Sequence, residues 1–211
     1  MPSFRDALMQ CPLVAILRGI EPTEATETGQ ALFDAGFRIL EVPMNSPQPL
    51  NSIALLAKAF AGKALVGAGT VTAPDQVLKV GEVGGRLIVM PHADAAVVRA
   101  AKAGGLYALP GFATPTEAFA MIAAGADGLK LFPAEAHPPK VLKALRAVLP
   151  KDMPILPVGS ITPENMADYW AAGANGFGLG SALYQPHAKP ADVGEKARAF
   201  IAALGRLRGG A

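Results

Sequence analysis

Eight short apolar runs, each closed off by Gly, Pro or polar residues, recur along the chain: LVAIL (13–17), FRILEV (37–42), ALVGA (64–68), RLIVM (86–90), LYAL (106–109), GLKLF (128–132), ILPV (155–158) and GFGLG (176–180). Runs this short and this apolar read as strands buried on both faces. Between them the apolar spacing is helical, as in Leu50, Ile53, Ala54 and Ala57, or in Val141, Leu142, Leu145, Val148 and Leu149 with Lys143 and Arg146 left to the solvent side. Pro22, Pro74, Pro115 and Pro163 mark helix starts, and Thr114, Thr116 and Glu117, like Thr162, Pro163 and Glu164, have the chemistry of N-terminal caps. The segments DAGF, KAGG, AAGADG and AAGANG end helices on glycine and lead into strands. Strict alternation of strand and helix demands parallel strands with crossovers, and eight such units close most economically into an α/β (β/α)8 TIM barrel. A doubly wound open sheet is the alternative, but ILRGIEP follows the first strand where a glycine-rich dinucleotide turn would stand. A short N-terminal helix with Phe4, Ala7 and Leu8 on one side is expected to cover the bottom of the barrel, and residues 1–211 read as a single domain.

Composition narrows the function classes. A chain of 211 residues that is 51% apolar and 17% charged has the make-up of a globular domain with a sizeable core. Its formal charge of +2 is spread without a basic cluster, so neither nucleic acid nor an acidic membrane is an expected partner. No window reaches the length of a membrane span, and Arg5 and Asp6 lie inside what would have to be the apolar core of a signal, so a cytoplasmic location is expected. The single cysteine, Cys11, excludes an internal disulfide framework, and His92, His137 and His187 are too isolated to suggest a metal site. Neither a metal nor another cofactor is expected.

Lys130 stands in the middle of the sixth run, GLKLFPAEA, where packing does not ask for an amine. An unpaired ammonium in an apolar interior is costly, so the position needs a partner or a task. A lysine held out of water loses its proton more readily, which is the condition for attacking a carbonyl and forming a Schiff base. On this strand alone, an ion pair and a nucleophile are equally open readings.

In a barrel, chemistry belongs at the carboxyl ends of the strands. Arg18 ends the first strand, Glu41 lies near the end of the second, Thr70 follows the third in GAGT, and Lys130 is on the sixth. Strand alternation puts Ile39 with Glu41 and Lys130 with Phe132, so both functional groups can point inward. The turns VGSITPEN and LGSALY after the last two strands place Gly159, Ser160, Gly180 and Ser181 where backbone amides and hydroxyls can grip a phosphate. Each position also has a plainer reading. Glu41 can pair with Lys130 or Arg18, Arg18 can brace its loop, and Thr70 can serve a turn. Pro91 and Pro110 can terminate strands, although Pro91 can also wall a substrate site, and His92 can be a polar rim residue.

The ordered set ILRGI, ILEVPMNSP, VGAGTV, LPGFATPTEA, GLKLFPAEA, PVGSITPEN and GLGSALY, spanning about residues 12 to 204, resembles the class I aldolases that cleave 2-keto-3-deoxy-6-phospho sugar acids. The resemblance implies a Schiff-base lysine at Lys130, a glutamate general acid/base at Glu41, a threonine at Thr70 near the pyruvate portion, and phosphate contacts at the two Gly-Ser turns. It also implies pyruvate and glyceraldehyde 3-phosphate as products and a homotrimer. Within that family, phosphogluconate-type enzymes carry an arginine four residues after the glutamate and a threonine before the glycines of the seventh strand. At those two places, which the resemblance ties to the stereochemistry at C4 of the substrate, this chain holds Asn45 and Val158. With Arg18 expected to hold the substrate carboxylate, the pattern is closer to the 2-dehydro-3-deoxy-6-phosphogalactonate branch. The alternatives are a 2-dehydro-3-deoxy-6-phosphogluconate or 4-hydroxy-2-oxoglutarate aldolase or, in other classes, a non-covalent sugar-phosphate isomerase or binding protein. Ser160 departs from the family, in which many members carry a second glycine at that place.

Overall fold

A computed structural model describes residues 3–209; Met1, Pro2, Gly210 and Ala211, at the ends of the expected domain, lie outside the described residues. The first helix, α1 (Phe4–Gln10), is closed at its start by a capping box in which Ser3 and Asp6 satisfy each other's backbone N–H groups. Strands β1 (Leu13–Ile16), β2 (Ile39–Pro43), β3 (Leu65–Gly69), β4 (Leu87–Val89) and β5 (Tyr107–Leu109) alternate with α2 (Pro22–Ala35), α3 (Pro49–Ala59), α4 (Pro74–Glu82) and α5 (Ala95–Ala103). A two-residue strand, β6 (Gly111–Phe112), then precedes α6 (Pro115–Ala123), β7 (Leu129–Leu131), α7 (Pro139–Arg146), β8 (Ile155–Pro157), α8 (Met166–Ala171), β9 (Phe177–Leu179) and α9 (Pro190–Gly209).

All pairings between these strands are parallel, as strand–helix alternation requires. The expectation of eight uninterrupted strands needs correction, because among the described residues nine strand segments form two sheets, β5-β4-β3-β2-β1-β9 and β6-β7-β8. The break falls at Pro110, which has no N–H to give a ladder, so the run around LYAL divides into β5 and β6. Bonds cross between the sheets at both edges. Asp127 donates its N–H to the Ala108 carbonyl at 3.0 Å, and Asn175 donates to the Ile155 carbonyl at 2.9 Å. Val158 and Gly178 add a parallel bridge.

Strand alternation separates two apolar layers. Leu13, Ala15, Leu40, Val42, Leu129 and Leu131 are buried with the helices in the larger cluster. Val14, Ile39, Leu65, Leu87, Leu109 and Leu156 point the other way and pack with Phe4, Ala7 and Leu8 of α1, so the N-terminal helix plugs the amino end as expected. The carboxyl ends are thereby left for polar groups. Most helix starts also match the sequence pattern: Pro22, Pro74 and Pro115 occupy the first turns, and Thr114 and Glu117 form a capping box.

Two expectations fail. Pro163 lies in a turn and α8 begins only at Met166, because the Asn165 side chain accepts the Thr162 N–H at 3.0 Å and donates to the Ser160 carbonyl at 2.8 Å, tying up the loop ahead of the helix. Arg146 is not left to solvent. Its guanidinium donates to the Gly173 carbonyl at 2.9 Å and the Met153 carbonyl at 2.9 Å, and to Asn175, while the apolar Val148 stands exposed after the end of α7.

The Phe4 ring is the largest side chain of the plug, and a Cβ on Gly128 would sit 3.1 Å from it, so little space surrounds it. Phe4→Ala should cost about 3 to 5 kcal/mol of unfolding free energy, the usual range for emptying a buried aromatic site. Urea denaturation measures this, and a loss below about 1 kcal/mol would show that α1 is peripheral to the fold.

Candidate active site

The glutamate site is made by what its neighbour lacks. Glu41 pairs in register with Gly67 across β2 and β3, and a Cβ built on Gly69 would lie 1.7 Å from the Glu41 Oε2. Only glycine at position 69 leaves room for the carboxyl group. Glu41 is 1% exposed, and its Oε2 has no hydrogen-bond partner among the described residues. Loss of hydration pushes its carboxyl up to about 7, against the opposing pull of Lys130 and Arg18.

Lys130 is fixed by its neighbours in the ladder, Gly111 on β6 and Leu156 on β8. It is 5% exposed, and its Nζ lies 4.6 Å from the centre of the Phe132 ring, the same-face neighbour expected from alternation. Burial lowers its affinity for a proton below the usual lysine value; Glu41 opposes this and Arg18 adds to it. The ion-pair reading gains nothing from the structure. Among the described residues the pairs are Lys79–Asp75, His92–Asp94, Lys102–Asp127 and His187–Glu24, none involving Lys130, Glu41 or Arg18.

Arg18 donates through one terminal nitrogen to the Asn45 Oδ1 at 2.6 Å and through the other to the Thr70 Oγ1 at 3.3 Å. Thr70 holds a left-handed backbone with φ of 53°, a conformation that costs a β-branched residue energy. It is pinned between two bonds, Met44 N–H to the Gly69 carbonyl at 2.7 Å and Val71 N–H to the Val89 carbonyl at 3.2 Å. Ser46, not anticipated from the sequence, accepts the Gly19 N–H at 2.9 Å and ties the loop carrying Arg18 to the loop after β2.

A cavity of about 330 Å³ opens over these carboxyl ends, lined by Arg18, Lys130, Phe132 and Val158 and by both late Gly-Ser turns. The backbone N–H groups of Gly159, Ser160, Gly180 and Ser181 donate to no acceptor among the described residues. Gly159 needs its missing side chain, since φ is 115° and a Cβ would lie 2.2 Å from the Glu135 carboxylate. Ser160 has φ of 51°, so the place where the resemblance led to the expectation of a second glycine is one where glycine is at ease and serine is strained. Glu41, Thr70, Asn45 and Pro91 are not on the cavity wall. Pro91 instead packs on Gly111, whose added Cβ would meet the Pro91 carbonyl carbon at 2.6 Å. Gly69 and Ser46 escaped sequence reading for the same reason: each matters only through a partner in another strand or loop.

No group of three or more His, Cys, Asp or Glu side chains suited to a metal ion occurs among the described residues, and no helix there is long and apolar enough to cross a membrane. The arrangement holds a desolvated amine, a proton-retaining carboxyl, a guanidinium fork and a pair of turns rich in free donors.

Comparison with known proteins points the same way. The probable 2-dehydro-3-deoxy-6-phosphogalactonate aldolase of Rhizobium meliloti (strain 1021) is 47% identical over 96% of this chain and 95% of its own. The 2-dehydro-3-deoxy-6-phosphogalactonate aldolase of Escherichia coli (strain K12) is 47% identical over 91% of this chain and 94% of its own. A solved structure described as native KDPGal superposes with a TM-score of 0.93 at 45% identity, covering 95% of this chain and 97% of the other. The model of the KDPG and KHG aldolase family matches residues 4–196, and the chain, a carbon–carbon lyase by that descent, belongs to this family.

Proposed function

We propose that this protein is a class I aldolase that cleaves 2-dehydro-3-deoxy-6-phosphogalactonate to pyruvate and glyceraldehyde 3-phosphate through a Schiff base at Lys130. The observation that carries the reading is the Lys130 amine, buried, free of any ion pair, reluctant to hold a proton, and open to the cavity. As the neutral amine it adds to the C2 ketone; the proton held by Glu41, relayed by a water, then leaves with the C2 hydroxyl as water, giving an iminium and the Glu41 carboxylate. The C3–C4 bonding pair then flows toward the positive nitrogen, giving an enamine and releasing the aldehyde. Glu41 takes the C4 hydroxyl proton and returns one to C3 of the enamine; because it stands behind the cavity wall, a water carries that proton between them. Hydrolysis of the resulting iminium frees pyruvate and restores the amine.

Arg18 holds the substrate carboxylate with a two-pronged donor, with Thr70 close by at the pyruvate end, and the free N–H groups at Gly159, Ser160, Gly180 and Ser181 receive the phosphate. Val158 presents an apolar wall where a phosphogluconate-type enzyme offers a threonine hydroxyl, which with Asn45 supports the galacto branch. The names of the relatives from Rhizobium meliloti and Escherichia coli support the same substrate. Pro91 backs the site through close packing of its backbone against Gly111, the ladder neighbour of Lys130.

We infer that the two sheets form one closed (β/α)8 barrel, a single domain, which the hydrogen bonds and the bridge across both edges support. The protein works as a homotrimer, as the family resemblance implies, in the cytoplasm.

Borohydride reduction with pyruvate should add a reduced pyruvyl group to the peptide containing Lys130, and Lys130→Ala should lose both adduct and cleavage while keeping its melting curve. A folded enzyme that gives no adduct but still processes sugar phosphates would instead be the isomerase; binding without turnover would mark a binding protein.

Glu41→Gln should slow cleavage by about 10²- to 10⁴-fold while adduct formation continues. Its stability carries a second signature. The folded carboxyl keeps its proton up to about 7 against an ordinary 4.5, so its stabilising contribution is complete below pH 4.5 and lost as pH rises through 7. At pH 8 the glutamine variant should therefore be more stable by up to about 3 kcal/mol, and at pH 5 the two should agree within about 1 kcal/mol. Parallel pH–stability curves for the two proteins would contradict the shifted carboxyl.

Cleavage of the galacto epimer should exceed that of the gluco epimer by at least about tenfold, the scale expected when a pocket offers or withholds one hydroxyl partner. Equal rates on the two phosphorylated keto acids would remove the branch assignment and leave the Schiff-base chemistry standing.

A further inference from the structure

Position 45 deepens the aldolase reading and rests on it. The Asn45 side chain is not on the cavity wall, and its hydrogen bond goes to Arg18, at 2.6 Å. Arginine can only donate, so Asn45 must present its carbonyl oxygen, and the orientation of the amide is settled by its partner. The other terminal nitrogen of Arg18 is held by Thr70 at 3.3 Å, which leaves the fork gripped from behind at both tips. Asn45 can do this because its own backbone is fixed on both sides. The Met44 N–H is bonded to the Gly69 carbonyl at 2.7 Å, and the Ser46 N–H to the Pro43 carbonyl at 2.9 Å.

Arg18 is otherwise an exposed, long side chain with no carboxylate partner among the described residues. Such a chain loses much rotamer freedom when it binds an anion, unless it is already held. Two of its five N–H groups are spent on Asn45 and Thr70, and three remain for a ligand in the cavity that Arg18 lines. We infer that Asn45 is a positioning residue, which pre-orients Arg18 for the substrate carboxylate and does not read the C4 hydroxyl itself. An arginine at position 45 would remove the acceptor and set two like charges together, so the residues at 18 and 45 must suit each other.

The test is a double-mutant cycle on the full-length enzyme, read as the pyruvate concentration that half-saturates borohydride trapping at Lys130. Asn45→Ala should raise that concentration about tenfold, the scale of losing one hydrogen bond to a charged group. In an Arg18→Ala background the same change should shift it less than about twofold, because the residue through which Asn45 acts is gone. Trapping of hydroxyacetone, a ketone without a carboxylate, should likewise change less than about twofold in Asn45→Ala, a split that general loosening of the fold would not produce. The ratio of cleavage rates on the two C4 epimers should stay within about twofold of the parent. An undiminished effect in the Arg18→Ala background, an equal loss with hydroxyacetone, a large change in epimer ratio, or unchanged pyruvate saturation would each overturn the inference. Absence of a pyruvate adduct in the parent protein would instead sink the Schiff-base reading itself.

Discussion

The site depends on keeping an amine and a carboxyl out of water without letting them neutralise each other. Lys130 and Glu41 are both buried, each feels the other's charge, yet they form no ion pair. Desolvation therefore outweighs attraction for both groups. A full salt bridge would lock the amine as an ammonium and the carboxyl as a carboxylate, whereas a nucleophile must shed its proton and a proton carrier must move between both of its states. Small residues make the separation feasible: without Gly69 there is no space for the carboxyl, and Gly111 pairs beside Lys130 against the Pro91 backbone.

Beneath this pair the same strand faces carry only apolar side chains. Ile39 lies two residues before Glu41, and Leu156 lies beside Lys130 in the ladder, both in the cluster closed by Phe4, Ala7 and Leu8. The N-terminal helix thus does more than add buried area. By plugging the amino end it keeps water from reaching the two ionisable groups from below, so their hydration is set by the cavity side alone. Stability and reactivity share one layer of packing.

What could be read from sequence is what is encoded locally. Strand alternation placed Glu41 and Lys130 inward, the prolines at Pro22, Pro74 and Pro115 marked helix starts, and Phe4, Ala7 and Leu8 announced a covering helix. The misreadings all involve contacts between distant segments. Arg146 looked solvent-facing because its acceptors, Gly173, Met153 and Asn175, lie in other loops. The split at Pro110 is a matter of ladder bonding, and nothing in the neighbourhood of Asn45 along the chain reveals that its carbonyl oxygen accepts from Arg18. Ser160 lies between these cases. As a departure from a glycine it was visible, but that it keeps the left-handed backbone of the turn is a property of the fold.

On the aldolase reading, substrate charge itself works against the nucleophile. A carboxylate and a phosphate entering the cavity would both favour the protonated form of Lys130, so the binding groups must offset that field without holding the amine's proton in place. Arg18 would do this at the carboxylate end, since its fixed positive charge, which lowers the proton affinity of Lys130, would also neutralise the anion it bound. At the other end, the N–H groups of two turns that donate to no acceptor among the described residues would grip the phosphate as dipoles. Their field falls off faster with distance than that of a cation, so phosphate binding energy is gained with little effect on the amine. On that reading one well-placed guanidinium would suffice, and its placement, by Asn45 and Thr70, would become a variable on which affinity for the carboxylate turns.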